Sequence, residues 1–186
     1  MRFLVRLASP KLRRDKLLAS VRALARAFGA EGRNPKWTSY GALELDIFSP
    51  TRTDFDLLLC VLGPLYDLEF SRDLNEAPPH KSEEDLFSEA RGYFNSERYW
   101  ECHEVLEGVW RLKSGEEKRF LQGTILVCAA FVHHQKGEDT VATSVMRRAV
   151  NQLEFPATDY HGLDLGALNR KAKKVLETQK FLNFTI

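Results

Sequence analysis

The sequence has few residues of the kinds that mark several large classes of protein. Only 3 of its 186 residues are cysteine, and Cys60, Cys102 and Cys128 form no CxxC pair. An odd, scattered set argues against a disulfide framework and predicts reduced thiols in a cytoplasmic protein. No stretch reaches the roughly 18 apolar residues of a membrane span. The N-terminal apolar run contains Arg6 and no cleavage signature, so we expect no signal peptide.

A surplus of charge of one sign is also missing. Lysine and arginine together number 27, aspartate and glutamate 26, and the formal net charge is +1. Such a balance gives no general attraction to nucleic acid or to an anionic membrane. Hydrophobic residues at 44% and charged residues at 28% are typical of a globular chain. Composition therefore predicts one large or two small globular domains and leaves the reaction, if there is one, unassigned.

The first part of the chain alternates between strand and helix periods. Phe3, Val5 and Leu7 recur at every second residue, as in a strand entering a core. We expect residues 31–35 to form a loop. A strand, a helix, a hairpin, a second helix and a last strand are expected at residues 3–7, 17–28, 37–48, 53–62 and 66–70. This order predicts a ferredoxin-like βαββαβ module over residues 1–74.

One face of the predicted sheet carries charged side chains. Between the apolar strand residues lie Arg6, Glu44, Asp46 and Glu69. Sheets of this topology that bind RNA present aromatic stacking residues instead, and carboxylates repel phosphate. The pattern argues against nucleic acid as a partner of this face. It favours a solvated surface with cross-strand ion pairs.

The pattern changes after this module. Residues 75–81 are polar and contain Pro78 and Pro79, which is typical of a linker. From Ser82 onward, apolar residues recur at helical spacing. The expected helices lie near residues 82–94, 98–112, 116–136, 140–153 and 165–180. We therefore predict an α+β protein in which the ferredoxin-like module is followed by an all-α bundle of about five helices over residues 82–186.

A histidine and a glutamate share one side of the second helix of this bundle. At 100° per residue, Tyr99, His103, Glu107 and Trp110 fall on one stripe, whereas Glu104 falls on the opposite side. The Cβ atoms of residues four apart on a helix are separated by about 5–6 Å. His103 and Glu107 are therefore close enough to pair or to share a ligand.

The third helix contributes two further candidates. Gln122 and His133 are eleven residues apart and project in nearly the same direction from a helix that is apolar almost all round. If this helix faces the second one, Gln122 and His133 converge on His103 and Glu107. The candidate metal ligands are thus His103, Glu107 and His133, and the candidate pocket-lining residues are Tyr99, Trp110 and Gln122.

These residues also carry a family resemblance. The segment His103–Trp110, HEVLEGVW, fits an HxxxExxW motif. Matching flanking segments are EARGYFN, YWEC and FLQG, at residues 89–95, 99–102 and 120–123. Together they resemble the bacterial and archaeal family known as domain of unknown function 309, over roughly residues 82–165. The resemblance implies a small helical domain without an established activity, in which His103 and Glu107 are the suggested metal ligands and Trp110 is a wall.

Three interpretations of this pattern stay open. The first is a binding module whose His/Glu pocket accepts zinc, manganese or iron, or a small polar ligand. The second is an interaction or homo-oligomerisation protein in which His103, Glu107 and Gln122 form a closed hydrogen-bond network. The third is a metal-dependent hydrolase. Here Glu107 replaces the second histidine of the HExxH metalloprotease motif, which argues against that protease class.

Overall fold

The chain divides into two compact units, Met1–Pro79 and His80–Ile186. The computed structural model describes residues 1–9, 11–76, 81–154 and 159–186. Residues 77–80, at the centre of the predicted linker 75–81, lie outside the described residues. The first unit contains a sheet and helices, and the second is mainly helical.

In the part of the first unit that the structure describes, the elements are a four-stranded sheet and two helices. Its elements are β1 (Arg2–Ala8), α1 (Arg14–Ala27), β2 (Glu31–Trp37), β3 (Leu43–Phe48), α2 (Arg52–Leu65) and β4 (Asp67–Asp73). The strand order is β2-β3-β1-β4, and every neighbouring pair is antiparallel. The predicted mixed α+β architecture is therefore confirmed.

The core of the first unit follows from the period-two pattern of its strands. Phe3 on β1 is fully buried and stacks on Phe55 of α2, with ring centroids 3.7 Å apart. Burying one such side chain contributes about 1.5–3 kcal/mol to the free energy of unfolding. The same cluster contains the alternating apolar residues of β1 and β3 and the buried faces of both helices: Val5, Leu7, Leu43, Leu45, Ile47, Leu17, Val21, Ala25, Leu58 and Leu62.

The prediction of a loop over residues 31–35 is wrong, because these residues belong to β2. Within this sheet β2 pairs only with β3, and its sequence, EGRNPKW, lacks alternating apolar residues. The register shifts between Arg33 and Lys36, and Asn34 has a φ of 52°. A bulge of this kind accommodates Pro35, which has no N–H to donate. The apolar pattern that identifies central strands is therefore absent from this edge strand.

The charged face of the sheet is buried at its centre. Glu44 on β3 is in register with Arg6 on β1 and with Lys36 on β2. These three residues, which we call the Glu44 triad, are only 2–3% exposed. Arg6 Nη2 donates to Glu44 Oε2 at 2.8 Å, and the other carboxylate oxygen pairs with Lys36 Nζ. The expected cross-strand ion pairs are present. The expected solvent exposure is wrong for Arg6, Glu44 and Asp46, which are buried, whereas Glu69 on the edge strand β4 is exposed.

The described residues of the second unit form five helices and a short hairpin. Its elements are α3 (Glu83–Asn95), α4 (Tyr99–Trp110), α5 (Gly115–Gln135), α6 (Asp139–Val150), β5 (Asp159–Tyr160), β6 (Leu163–Asp164) and α7 (Leu165–Thr178). The all-α prediction is thus corrected by β5 and β6. Two-residue strands are too short to show a period, and their turn depends on positive φ angles at His161 and Gly162.

Helix ends and helix packing in this unit follow the sequence signals. The Ser82 hydroxyl accepts a hydrogen bond from the Asp85 N–H at 3.1 Å, and the Asp164 carboxylate accepts one from the Ala167 N–H at 2.7 Å. These side chains cap α3 and α7. The almost wholly apolar α5 packs against both α4 and α6. In the parts of the chain that the structure describes, no helix is long and apolar enough to cross a membrane.

Candidate metal centre

Helix α4 brings three metal-ligating side chains together on about one turn. One ligand atom from each of His103, Glu104 and Glu107 lies within 4.8 Å of the other two. Donor atoms on a single ion, at bond lengths of about 2.0–2.2 Å, are about 3–4 Å apart. Small side-chain rotations are therefore sufficient to place all three around one cation.

The position of these side chains follows from the packing of α4. Cys102, Leu106 and Val109 are buried in the core, so the opposite part of the helix faces solvent. The side chains of His103, Glu104 and Glu107 are 28%, 48% and 34% exposed. They border the buried stripe rather than lying within it. The group is accordingly accessible to an ion from solution.

Glu104 is the member of the group that was not predicted from the sequence. Helical projection placed it on the solvent side, and its side chain is indeed the most exposed of the three. Its Oε1 nevertheless lies 3.2 Å from Nδ1 of His103. A helical projection shows only the direction in which each side chain leaves the helix. A glutamate side chain has three rotatable bonds, so its carboxylate reaches the imidazole ring of the neighbouring residue. The sequence signal that could have identified Glu104 is its position directly after His103.

The charges around Glu107 set the electrostatics of the site. Arg111, one turn further along α4, places its Nη2 at 3.3 Å from Glu107 Oε1. The two carboxylates and this guanidinium give a net charge of −1 when His103 is neutral, which favours a cation. An incoming cation competes with Arg111 for Glu107.

His133 is not part of this group among the described residues. Its Nδ1 lies 2.5 Å from Oε2 of Glu138, across the turn that joins α5 to α6. This hydrogen bond lowers the pKa of Glu138. The adjacent His134 makes the equivalent contact with Asp139 at 2.6 Å. Both histidines thus pair with acidic residues at the start of α6, and the convergence of His133 with His103 and Glu107 is not seen.

The three predicted pocket-lining residues lie in different surroundings. Tyr99 is a core residue, stacked on Phe131 with ring centroids 4.6 Å apart. Trp110 is half-buried beneath the Lys118 ammonium, which lies 4.3 Å from the ring centroid, and its buried indole nitrogen has no hydrogen-bond partner among the described residues. Gln122 is half-buried on α5. Tyr99 therefore contributes to stability rather than to a pocket wall.

The second unit is thus mainly helical, and its helix α4 presents a histidine and two carboxylates to solvent. Residues 87–145 match the family described as "Domain of unknown function (DUF309)". The match contains the HxxxExxW segment of α4 and confirms, for these residues, the family resemblance predicted from the sequence.

The relatives that this chain is similar to carry no stated activity. It is 28% identical over 102 residues to an uncharacterized protein of Aquifex aeolicus (strain VF5), covering 54% of this chain and 31% of that protein. It is 33% identical over 82 residues to the uncharacterized protein YpuF of Bacillus subtilis (strain 168), covering 42% of this chain and 47% of YpuF. The matches therefore span less than half the length of these curated relatives.

A solved structure also matches. The crystal structure of a conserved hypothetical protein from Thermus thermophilus is 36% identical in sequence, and the match covers 49% of this chain and 95% of that one. Its TM-score is 0.44.

Proposed function

We propose that the helical unit is a binding module that holds a divalent metal ion, or a small polar ligand in its place, on α4. His103 and Glu107 are the central ligands, and Glu104 is the third. The observation that carries the proposal is the convergence of their ligand atoms within 4.8 Å. One imidazole and two carboxylates suit zinc, manganese or iron. His133 stays paired with Glu138 in this proposal.

The alternative, a purely architectural cluster, has less support. A closed network is needed where polar groups are buried, since a buried polar atom without a partner is costly. His103 and Glu107 are about one-third exposed, so water can satisfy them. No hydrogen bond joins Gln122 to either residue in the described part of the chain. Solvent access favours a role for which an ion or ligand must reach the side chains.

We also infer that the first unit is ferredoxin-like and that the protein works in the cytoplasm. The ferredoxin-like assignment is supported by the βαββαβ element order together with the antiparallel sheet order β2-β3-β1-β4. The cytoplasmic assignment is supported by the free state of Cys60, Cys102 and Cys128.

Titration calorimetry of the full chain with zinc, manganese and ferrous ions tests the metal proposal. The protein is purified without chelator or affinity metal. We expect one ion per chain, and loss of binding in His103→Ala and in Glu107→Gln. His134→Ala, which removes another partly exposed histidine, is the matched control and should bind normally.

Arg111→Gln provides a test in the opposite direction. Removing this guanidinium frees Glu107, so metal affinity should rise by about two- to fivefold, the value of a surface ion pair of up to about 1 kcal/mol. The absence of binding with all three metals, or unchanged binding in His103→Ala, would contradict the proposal. In that case His103→Asn and Glu107→Gln should each lower the melting temperature without any metal effect, and light scattering would test the oligomerisation alternative.

A further inference from the structure

A separate cavity lies at the edge of the sheet in the first unit. Its volume is about 450 Å³. It is lined by one turn of α1 and the first half of β2, and we call it the arginine groove: Arg22, Arg26, Glu31, Gly32, Arg33 and Asn34. None of these residues belongs to the candidate metal centre, and the groove lies within a single unit.

A glycine allows the two walls of the groove to come together. A Cβ on Gly32 would lie 2.6 Å from Leu45 Cδ2 and 3.4 Å from Arg22 Cγ. The absence of a side chain therefore lets α1 approach the edge strand closely. Arg22 Nε then donates to the carbonyl oxygen of Gly32 at 3.1 Å, which holds this guanidinium beside β2. Arg26 follows Arg22 by one helical turn and lines the same cavity.

The opposite wall carries a third guanidinium. Arg33 packs over the ring of Phe48, with its Cζ 4.7 Å from the ring centroid. Its Nη2 donates to Glu31 Oε2 at 2.5 Å. This hydrogen bond lowers the pKa of Glu31 and raises that of Arg33, so both groups stay charged. The bulge at Asn34 lies directly after Arg33 on this edge strand. Bulges at sheet edges commonly change the direction of nearby side chains.

The charges of the groove are not balanced. Three arginines against one glutamate leave a net charge of +2 from the lining residues. Arg33 is compensated by Glu31, whereas Arg26 has no hydrogen-bond or ion-pair partner in the described ranges. The Arg33 and Glu31 side chains are 54% and 59% exposed, so the groove is open and an anion can reach its arginines from solution. Guanidinium groups bind phosphate oxygens in a bidentate geometry, which makes a phosphate group the matching ligand.

We propose that the arginine groove binds the phosphate group of a small phosphorylated molecule. A phosphomonoester carries a charge of about −1.5 to −2 at neutral pH, which matches the surplus of the groove. The volume falls in the range of about 300–1,000 Å³ that is typical of small-ligand cavities. The Glu31 carboxylate beside the three arginines would repel the successive phosphates of a long polyanion, so the geometry favours a compact ligand over RNA.

Titration calorimetry of the full chain with ribose 5-phosphate, inorganic phosphate and ribose tests this proposal. Ribose 5-phosphate should bind saturably and ribose should not. Tighter binding of the ester than of inorganic phosphate assigns the site to phosphorylated metabolites, whereas equal binding assigns it to the free anion. Arg26→Gln should weaken binding by about tenfold or more, because it removes a charge-assisted hydrogen bond. Arg26 is the variant of choice because its side chain makes no polar contact that supports the fold in the described ranges.

Two further variants separate a built site from diffuse charge. Lys16→Gln removes the same charge from an exposed position of α1 outside the groove and should leave affinity within about twofold. Glu31→Gln should tighten binding, since it removes the negative charge among the arginines. Equal weakening by Arg26→Gln and Lys16→Gln would overturn the proposal, and so would the absence of saturable binding at about 10 mM of either phosphate probe. Binding of a single-stranded oligoribonucleotide without binding of the small probes would overturn it in favour of nucleic acid.

Discussion

Glu44→Gln is expected to destabilise the first unit by about 3 kcal/mol. Glu44 is the single anion of the Glu44 triad, and the change leaves Arg6 and Lys36 buried without it. Breaking a buried ion pair from one side costs about 3–5 kcal/mol. Arg6 keeps contacts with Tyr40 at 3.4 Å and with Glu69 at 4.0 Å, so we expect the lower end of that range.

Arg6 stays charged when Glu44 is replaced, which is why the expected loss of stability is large. Burial alone would lower the pKa of Arg6, but the charge of Glu44 and its hydrogen bond raise it above the ordinary value. Removing Glu44 takes that contribution away, but a guanidinium is not deprotonated in proteins at neutral pH, so the cation remains in place without its anion. Replacing the whole triad by apolar residues, as in Arg6→Met/Lys36→Met/Glu44→Leu, should restore most of the stability, because no uncompensated charge is then buried.

Differential scanning calorimetry measures the effect. For a unit of this size, about 1 kcal/mol corresponds to a shift of about 4–8 °C, so we expect a fall of about 12–24 °C in the transition of the first unit. Hydrogen exchange in β1 and β3 assigns that transition. The matched control is Asp56→Asn, which removes a 52% exposed carboxylate paired with Arg52 at 2.9 Å and should cost less than about 1 kcal/mol. A loss for Glu44→Gln no larger than that of the control would refute the reasoning.

Two further predictions concern buried and exposed positions of the chain. Gly123→Ala should destabilise by about 1–3 kcal/mol in thermal melts, because the new Cβ meets the segment after α6 at 3.0 Å, whereas Gly92→Ala, with nothing within 4 Å, should stabilise by about 0.5–1 kcal/mol. Effects of the same sign would contradict this packing argument. Ellman's reagent should modify Cys60 rapidly and both Cys102 and Cys128 only on unfolding, because burial raises the pKa of the Cys102 thiol well above its ordinary value. Rapid reaction of more than one thiol in the native protein would contradict it.

The fold was predictable where a periodic pattern reports burial. Alternating apolar residues identify β1 and β3, because these strands have one face on the core, and helical spacing identifies all five helices of the second unit. The same reasoning fails for β2, whose place in the sheet depends on backbone pairing with β3 rather than on apolar side chains. It also fails for the charges around Glu44, because periodicity assigns a residue to a face and carries no information on how far water reaches that face.

The candidate site was predictable to the extent that it is local. His103 and Glu107 are one helical turn apart, so their proximity follows from helix geometry alone. The inclusion of His133 required two helices to present particular faces to each other. Sequence spacing does not determine that relation, and the nearby Glu138 supplies a partner for His133 across a short turn instead.

All three proposed donors come from five consecutive residues of α4. A ligand set contained in so short a stretch needs no distant segment to complete it, and it is formed as soon as that turn becomes helical. An ion that binds only the helical form of this turn would stabilise that form and slow the local unfolding of the turn. Any chain that acquired this helix would acquire the three proposed protein donors with it, and water would have to complete the coordination of an ion.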